Sequence, residues 1–233
     1  MSEAHIQVRA ARERGAFITL EGGEGAGKST QIGHLLGNLR AAGIEAIGTR
    51  EPGGSPGAEI LRKVLLSGKM AHLGPAAEAI LFAAARVDHL DKTIKPALAA
   101  GTFVVSDRFA DSTRAYQGAR GQADPRFLRA LERITLGGVR PNLTLILDLP
   151  VAEGLARAAA RRGAFEAPDR FEREDMRFHE NLRAAFLSMA AAESARCIVI
   201  DAAAAEADVA QAIFEAVSLR LIAPAAAKQA RHG

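Results

Sequence analysis

The stretch Gly22-Gly23-Glu24-Gly25-Ala26-Gly27-Lys28-Ser29 has the spacing G-x-x-x-x-G-K-S, and its two flanks decide how the chain folds. Ahead of it lies the short apolar run Ala16-Phe17-Ile18-Thr19-Leu20; behind it Ile32, Leu35, Leu36 and Leu39 recur at helical spacing. This order predicts a strand, a loop and a helix. The glycines let the backbone turn its N–H groups inward without Cβ clashes, and the helix N-terminus adds unpaired donors and the positive end of a dipole. A cradle for phosphate groups is therefore expected over Gly22, Gly23, Glu24, Gly25, Ala26, Gly27, Lys28, Ser29 and Thr30. Lys28 is expected to reach the outer phosphates and Ser29 to hold a magnesium ion.

At 233 residues, 48% hydrophobic and 24% charged, the chain can bury the core of one large α/β domain. We expect that domain over residues 16–222, with flexible extensions over 1–15 and 223–233. No apolar run approaches the ~18 residues that cross a bilayer, so no membrane contact is expected. A formal charge of +3 is small for this length and gives no argument for nucleic acid. The six histidines form no i,i+4 pair and have no cysteines clustered beside them, which argues against zinc. Cys197 is the single cysteine and sits in an apolar run, the place of a buried, inert thiol. Arg9, Arg12 and Arg14 lie among alanine and glutamate without the apolar core of a signal peptide, so the expected location is the cytoplasm.

Beyond the first helix, residues 44–49 read as a second strand ending in Arg50-Glu51-Pro52-Gly53-Gly54. This is a sharp break, because Pro52 removes a donor and the glycines permit unusual dihedrals. Arg50 and Glu51 stand where an open parallel sheet meets its ligand, although a surface ion pair at a turn has the same pattern. Helices follow over 55–66 and 76–90. The second places Phe82 and Arg86 on one face, as a holder for a planar base or as core packing beside a solvated arginine. Pro96 begins the next turn, and 102–106 is a buried strand ending in Asp107-Arg108. A carboxylate at that strand end suits a magnesium shell, and the planar fork of Arg108 suits a phosphate. Residues 127–136 read as a helix and 143–148 as a central parallel strand with Asp148 at its end. A helix from about residue 151 runs through Arg157, Arg161 and Arg162 and breaks at Gly163 and Pro168. That is the composition of a lid, over about 157–172, that closes on phosphates, or of an arginine-rich surface. An amphipathic segment over 174–193, a fifth strand over 197–200 and a last helix over 207–221 follow. The alternation gives an α/β fold of the P-loop NTPase type, a doubly wound five-stranded parallel sheet with helices on both faces.

A nucleotide-triggered switch would carry N-K-x-D after a late strand, and the sequence has none. A phosphotransferase needs a second substrate pocket with its own arginines, and Arg50, Arg86 and Arg108 are placed to supply them. Here the chain resembles a known family. Val105-Ser106-Asp107-Arg108-Phe109-Ala110-Asp111-Ser112-Thr113-Arg114-Ala115-Tyr116-Gln117 is similar to the thymidylate kinase signature, as are Thr49-Arg50-Glu51-Pro52-Gly53-Gly54 and Leu81-Phe82-Ala83-Ala84-Ala85-Arg86, in the same order.

The resemblance implies phosphoryl transfer from ATP to dTMP with magnesium, in a homodimer. It implies that Phe82 stacks on thymine while Arg86, Thr113 and Gln117 address the polar edge of the base. Arg50 and Arg108 would hold the acceptor phosphate, with Glu51 and Tyr116 in the same pocket, and Asp107 would help Ser29 position the metal. Glu24 would face the deoxyribose 3′-hydroxyl, since a carboxylate among phosphates repels them unless it has another task. The loop lacks the arginine that some relatives carry there. In the bacterial type the lid supplies that charge, which fits Arg157, Arg161, Arg162 and Arg170. Catalysis would rest on Lys28, Asp107, Arg108, Arg157, Arg161 and Arg162. Another small nucleoside or nucleoside-monophosphate kinase with a different acceptor is the alternative.

Overall fold

A computed structural model of the chain describes residues 15–119, 124–162 and 171–223. Among these residues the strands are β1 Phe17–Gly22, β2 Ala46–Arg50, β3 Phe103–Asp107, β4 Leu143–Asp148 and β5 Cys197–Asp201. The helices are α1 Lys28–Ala41, α2 Pro56–Leu66, α3 Gly74–His89, α4 Lys95–Ala99, α5 Ala110–Ala119, α6 Pro125–Leu136, α7 Val151–Arg162, α8 Met176–Ala192 and α9 Glu206–Val217. The five strands pair in parallel in the order β2-β3-β1-β4-β5.

The apolar runs explain the order. β1 is buried at every position and β4 at all but the last, as strands covered on both faces must be, while β2 at the edge is half-exposed. Successive side chains point to opposite faces, so each strand feeds two cores. Ile18, Leu20, Val105 and Leu145 pack with Ile32, Leu35 and Leu39 of α1 and with Val209, Ile213 and Val217 of α9. Phe17 and Val104 meet Leu90, Ile94, Phe109 and Leu136 in the other layer, and Ile146 meets Phe178, Leu182 and Phe186 of α8. Cys197 is free and buried, and burial pushes its thiol up to about 11.

Pro96 departs from its expected place. It opens no turn; α3 continues through one π-turn, Leu90–Ile94, into α4, and Pro96 lies inside that helix. The wider turn, with the Lys95 N–H reaching back to the Leu90 carbonyl, carries the chain past a residue that has no N–H to give. α2 is capped from outside its own sequence, because Asp88 of α3 accepts from Ser55 Oγ, Gly57 N–H and Ala58 N–H at 2.6, 2.9 and 3.1 Å. Residues 49–58 are thereby pinned to α3.

Register brings the carboxyl ends together. Asp107 lies opposite both Leu20 and Arg50, so the phosphate loop, Arg50 and Asp107-Arg108 leave the sheet side by side. β1 stands between β3 and β4, where the strand order reverses, and the crevice beyond such a point is where open α/β sheets bind ligands.

Candidate active site

The loop after β1 has little freedom. Gly22, Gly25 and Gly27 have φ of 138°, 69° and 82°, a region L side chains rarely adopt. A Cβ on Gly22 would run into the Leu147 carbonyl of β4, and one on Gly25 would overlap the Gly154 carbonyl in α7. Backbone thus packs on backbone behind the loop. Lys28, the first residue of α1, is buried and its Nζ donates to the Gly22 and Gly23 carbonyls at 3.2 and 2.8 Å. Burial and the neighbouring Arg108 charge pull its pKa down to about 8.

Ser29 Oγ donates to Asp107 Oδ2 at 2.7 Å. A hydroxyl and a carboxylate side by side form the small oxygen set that suits magnesium, a cation that takes few protein ligands and fills its shell from water and phosphate. Arg108 has φ 68°, in the left-handed region that costs a non-glycine residue about 1–2 kcal/mol. Its side chain is held there: Nη1 donates to the Gly22 carbonyl at 3.0 Å and to Ser112 Oγ at 3.3 Å, Nη2 donates to Glu24 Oε1 at 2.8 Å, and the guanidinium lies 5.0 Å from the centre of the Tyr116 ring. Tyr116 also donates its hydroxyl to Glu24 Oε1 at 2.5 Å. Burial alone would raise the Glu24 pKa, but Arg108, Lys28 and the Tyr116 hydroxyl outweigh it and hold the carboxyl down at about 2. The acid of the loop is therefore an anion with its charge already matched.

The second group of side chains comes from α3, α5 and the exit of β2. Arg86 is buried; its Nε donates to Glu51 Oε2 at 2.8 Å, and its Nη2 donates to Thr113 Oγ1 at 2.8 Å and to the Phe109 carbonyl at 3.3 Å. Glu51 Oε1 accepts from His89 Nδ1 at 3.2 Å, and His89 Nε2 bonds the Thr49 hydroxyl at 2.6 Å. Arg50 pairs with Glu59 of α2 at 3.1 Å, and Arg62 Nη1 donates to the Pro52 carbonyl at 2.6 Å.

One cleft of about 270 Å³ joins the two groups. Lys28, Ser29 and Asp107 line it from the phosphate loop and β3, Phe82, Arg86 and Thr113 from α3 and α5, and Glu24, Arg108 and Tyr116 share its wall. Arg50, Glu51 and Arg161 reach it as well. Arg157 does not: its Nη1 donates to the Ala202 carbonyl at 3.0 Å and its Nη2 pairs with Glu153 on its own helix. Thr30 is exposed on the first turn of α1. The side chains of Gln117 and Arg162, and residues 163–170 with Arg170 among them, lie outside the described residues, as do the expected extensions over 1–15 and 223–233 apart from Gly15 and Ala223.

Sequence reasoning passed over Glu21 and His89 and gave Ser112 no role beyond its place in the signature stretch. Glu21 is buried; its Oε1 accepts from the Phe109 N–H at 2.8 Å and its Oε2 from Ser112 Oγ at 2.6 Å. Burial, with the Asp111 charge adding to it, pushes its pKa up to about 8. An acid closing an apolar strand was the signal for Glu21. His89, a lone histidine on an apolar helix, gave none.

An aromatic ring and a guanidinium on the far wall of a phosphate cleft have no use in a nucleotide switch; they belong to a P-loop phosphotransferase, the class that this fold and cleft define. Comparison with known proteins narrows it. The family described as thymidylate kinase matches residues 20–213. The chain is similar to the thymidylate kinases of a Bradyrhizobium species, 55% identical over 92% of this chain and 94% of that one, and of Nitrobacter winogradskyi, 56% identical over 98% and 99%. It is likewise 56% identical to the thymidylate kinase of a strain of Rhodopseudomonas palustris over 92% and 93%. The chain belongs to the thymidylate kinase family.

Proposed function

We propose that this kinase transfers the γ-phosphoryl group of ATP to dTMP, giving ADP and dTDP, as a cytoplasmic homodimer built from one domain over residues 16–222. The observation that carries this reading is the shared cleft, where a phosphate loop and a pocket with an aromatic wall open onto the same space. The loop from Gly22 to Thr30 would take the donor phosphates, with Lys28 exchanging the Gly22 and Gly23 carbonyls for phosphate oxygens. Ser29 and Asp107 would hold a magnesium ion, whose charge would offset that of the donor oxygens.

Arg108 and Arg50 bind the acceptor phosphate. Glu24 Oε2, which no described residue engages, accepts from the deoxyribose 3′-hydroxyl, while Oε1 stays with Arg108 and Tyr116. Phe82 stacks on the thymine ring. Arg86 offers Nη1, the terminal nitrogen without a partner among the described residues, to the base edge beside Thr113 and Gln117. Arg161 on the cleft wall, with Arg157 and Arg162 on the same helix, would bring positive charge to the transferred group as part of a lid over about 157–172. The acceptor phosphate is already an anion at neutral pH, so the residues need supply no general base; alignment and charge neutralisation do the catalysis.

The dimer reading is supported by exposed apolar side chains on three neighbouring helices. α2 and α6 both pack on α3, and Ile60, Ile80, Val87 and Ile134 on these helices stand exposed at 65%, 50%, 39% and 75%. A coupled assay of ADP release against a panel of nucleoside monophosphates tests the reaction. Preference for dTMP supports it, preference for another acceptor replaces the substrate, and release without acceptor dependence overturns it; sedimentation velocity reads the dimer.

A further inference from the structure

We propose that His89 is a positioning residue that sets which base the acceptor pocket admits, acting through Glu51 on Arg86. The inference rests on the reading of Arg86 as the donor to the base edge. His89 is fully buried and does not itself line the cleft; it reaches the cleft wall only through Glu51. Its place in a chain of hydrogen bonds gives it leverage.

Glu51 is buried with a distinct partner on each oxygen, Arg86 Nε on Oε2 and His89 Nδ1 on Oε1. A carboxylate can only accept, so Nδ1 must donate, and Nε2 is left to face the Thr49 hydroxyl. Thr49 sits on β2 in register with Ser106 of β3, and a Cβ on Gly54 would overlap both Thr49 Oγ1 and His89 Nε2, so the ring is wedged as well as bonded. The sheet thus fixes the ring, the ring fixes the carboxylate, and the carboxylate fixes the guanidinium.

Removal of the Nδ1 donor leaves Oε1 buried and unsatisfied, and the donor within reach is Nη2, on the same edge of the guanidinium as Nε. Nη2 is already committed to Thr113 and the Phe109 carbonyl. Competition there slides the fork in its own plane and moves Nη1, the nitrogen aimed at the base. A 4-keto oxygen accepts from a fixed Nη1, whereas a 4-amino group presents donor to donor and is rejected. A loosened fork loses that contrast more than it loses turnover.

The test uses the full chain and the ratio of kcat/KM for dTMP to that for dCMP, with dUMP as a control that keeps the keto edge. Asparagine places a donor near Nδ1, glutamine near Nε2. His89→Gln should lower the ratio roughly tenfold and His89→Asn should hold it within about threefold of wild type, the scale of one charge-assisted hydrogen bond. A folded His89→Gln enzyme with the wild-type ratio, or His89→Asn losing as much as His89→Gln, overturns the role. Should His89→Gln fail to fold, Thr49→Val should lower the ratio while Thr49→Ser keeps it, and equal ratios in that pair overturn the role too. Wild-type turnover of dTMP is measured first: its absence sinks the functional reading along with this one, whereas turnover with unmoved ratios sinks only the part played by His89.

Discussion

The two ends of the cleft are built by different means. The phosphate end is one continuous stretch, Gly22 to Ser29, shaped by dihedrals and by backbone contact with Leu147 and Gly154. The base end gathers Glu51, Phe82, Arg86, His89 and Thr113 from the exit of β2, α3 and α5, and side chains bonded to one another shape it. A contiguous backbone site has no slack, so adding or removing one group there should abolish work outright. A site made of side chains has slack, and damage there should appear first as lost affinity or discrimination.

The largest effects are therefore expected at the phosphate end. Lys28→Ala should lower kcat by about 10³, the scale of removing a preorganised charge from phosphoryl oxygens, and saturating dTMP should not restore it. Gly25→Ala carries no reactive group, yet its φ of 69° and the Gly154 carbonyl behind it leave no room for a methyl group. It should lose turnover on a comparable scale while the far wall still binds dTMP. Steady-state kinetics of a Gly25→Ala enzyme that worked near the wild-type rate would break the contrast.

Glu21 and Glu24 repeat the comparison within one turn of chain. Both are carboxylic acids shielded from water, but Glu24 meets Arg108, Lys28 and Tyr116, whereas Glu21 meets a serine, a backbone N–H and the repelling charge of Asp111. Their effects on stability have opposite signs. The Glu24 pKa falls from 4.5 to about 2, so its contribution is complete above about pH 4.5 and lost as pH falls toward 2. The Glu21 pKa rises from 4.5 to about 8, so the stability it lends is present below about pH 4.5 and lost as pH rises to 8. Glu21→Gln removes that loss. Its stability relative to wild type should climb between about pH 4.5 and 8, by on the order of a few kcal/mol, and stay level above. Urea midpoints across that range check the slope, and parallel curves for the two proteins would mean that Glu21 stays ionised when folded.

The same contrast governs what the sequence made legible. The central strands announced themselves because β1 and β4 are buried on both faces and hence almost wholly apolar. The phosphate loop was legible because its partners are its own neighbours. Arg50, Asp107 and Arg108 could be placed because strand ends in a parallel sheet share one edge. The bond from Tyr116 to Glu24 spans 92 positions, and no local pattern foretells it. An arginine on α7 reads alike whether it faces Ala202, as Arg157 does, or the cleft, as Arg161 does. Pro96 misled for a related reason: proline forbids an ordinary helical turn, but the π-turn that tolerates it depends on the packing of Leu90 and Ile94 against β1 and β3.

The smallest change in turnover is expected from Phe82→Ala. Phe82 is half-buried, lines the cleft and packs against the cluster that includes Tyr116 and Phe171, so truncation removes a wall without touching a charge. Stacking of a base on an aromatic ring is worth about 1–3 kcal/mol, which places the rise in KM for dTMP at roughly tenfold or more. In the proposed reading the acceptor phosphate falls to Arg50 and Arg108 and the sugar to Glu24, so kcat should change little. Excess dTMP should then restore the Phe82 variant and leave Lys28→Ala as slow as before. If instead kcat falls with KM unmoved, the ring aligns the acceptor during transfer, and the base end has no more slack than the phosphate end.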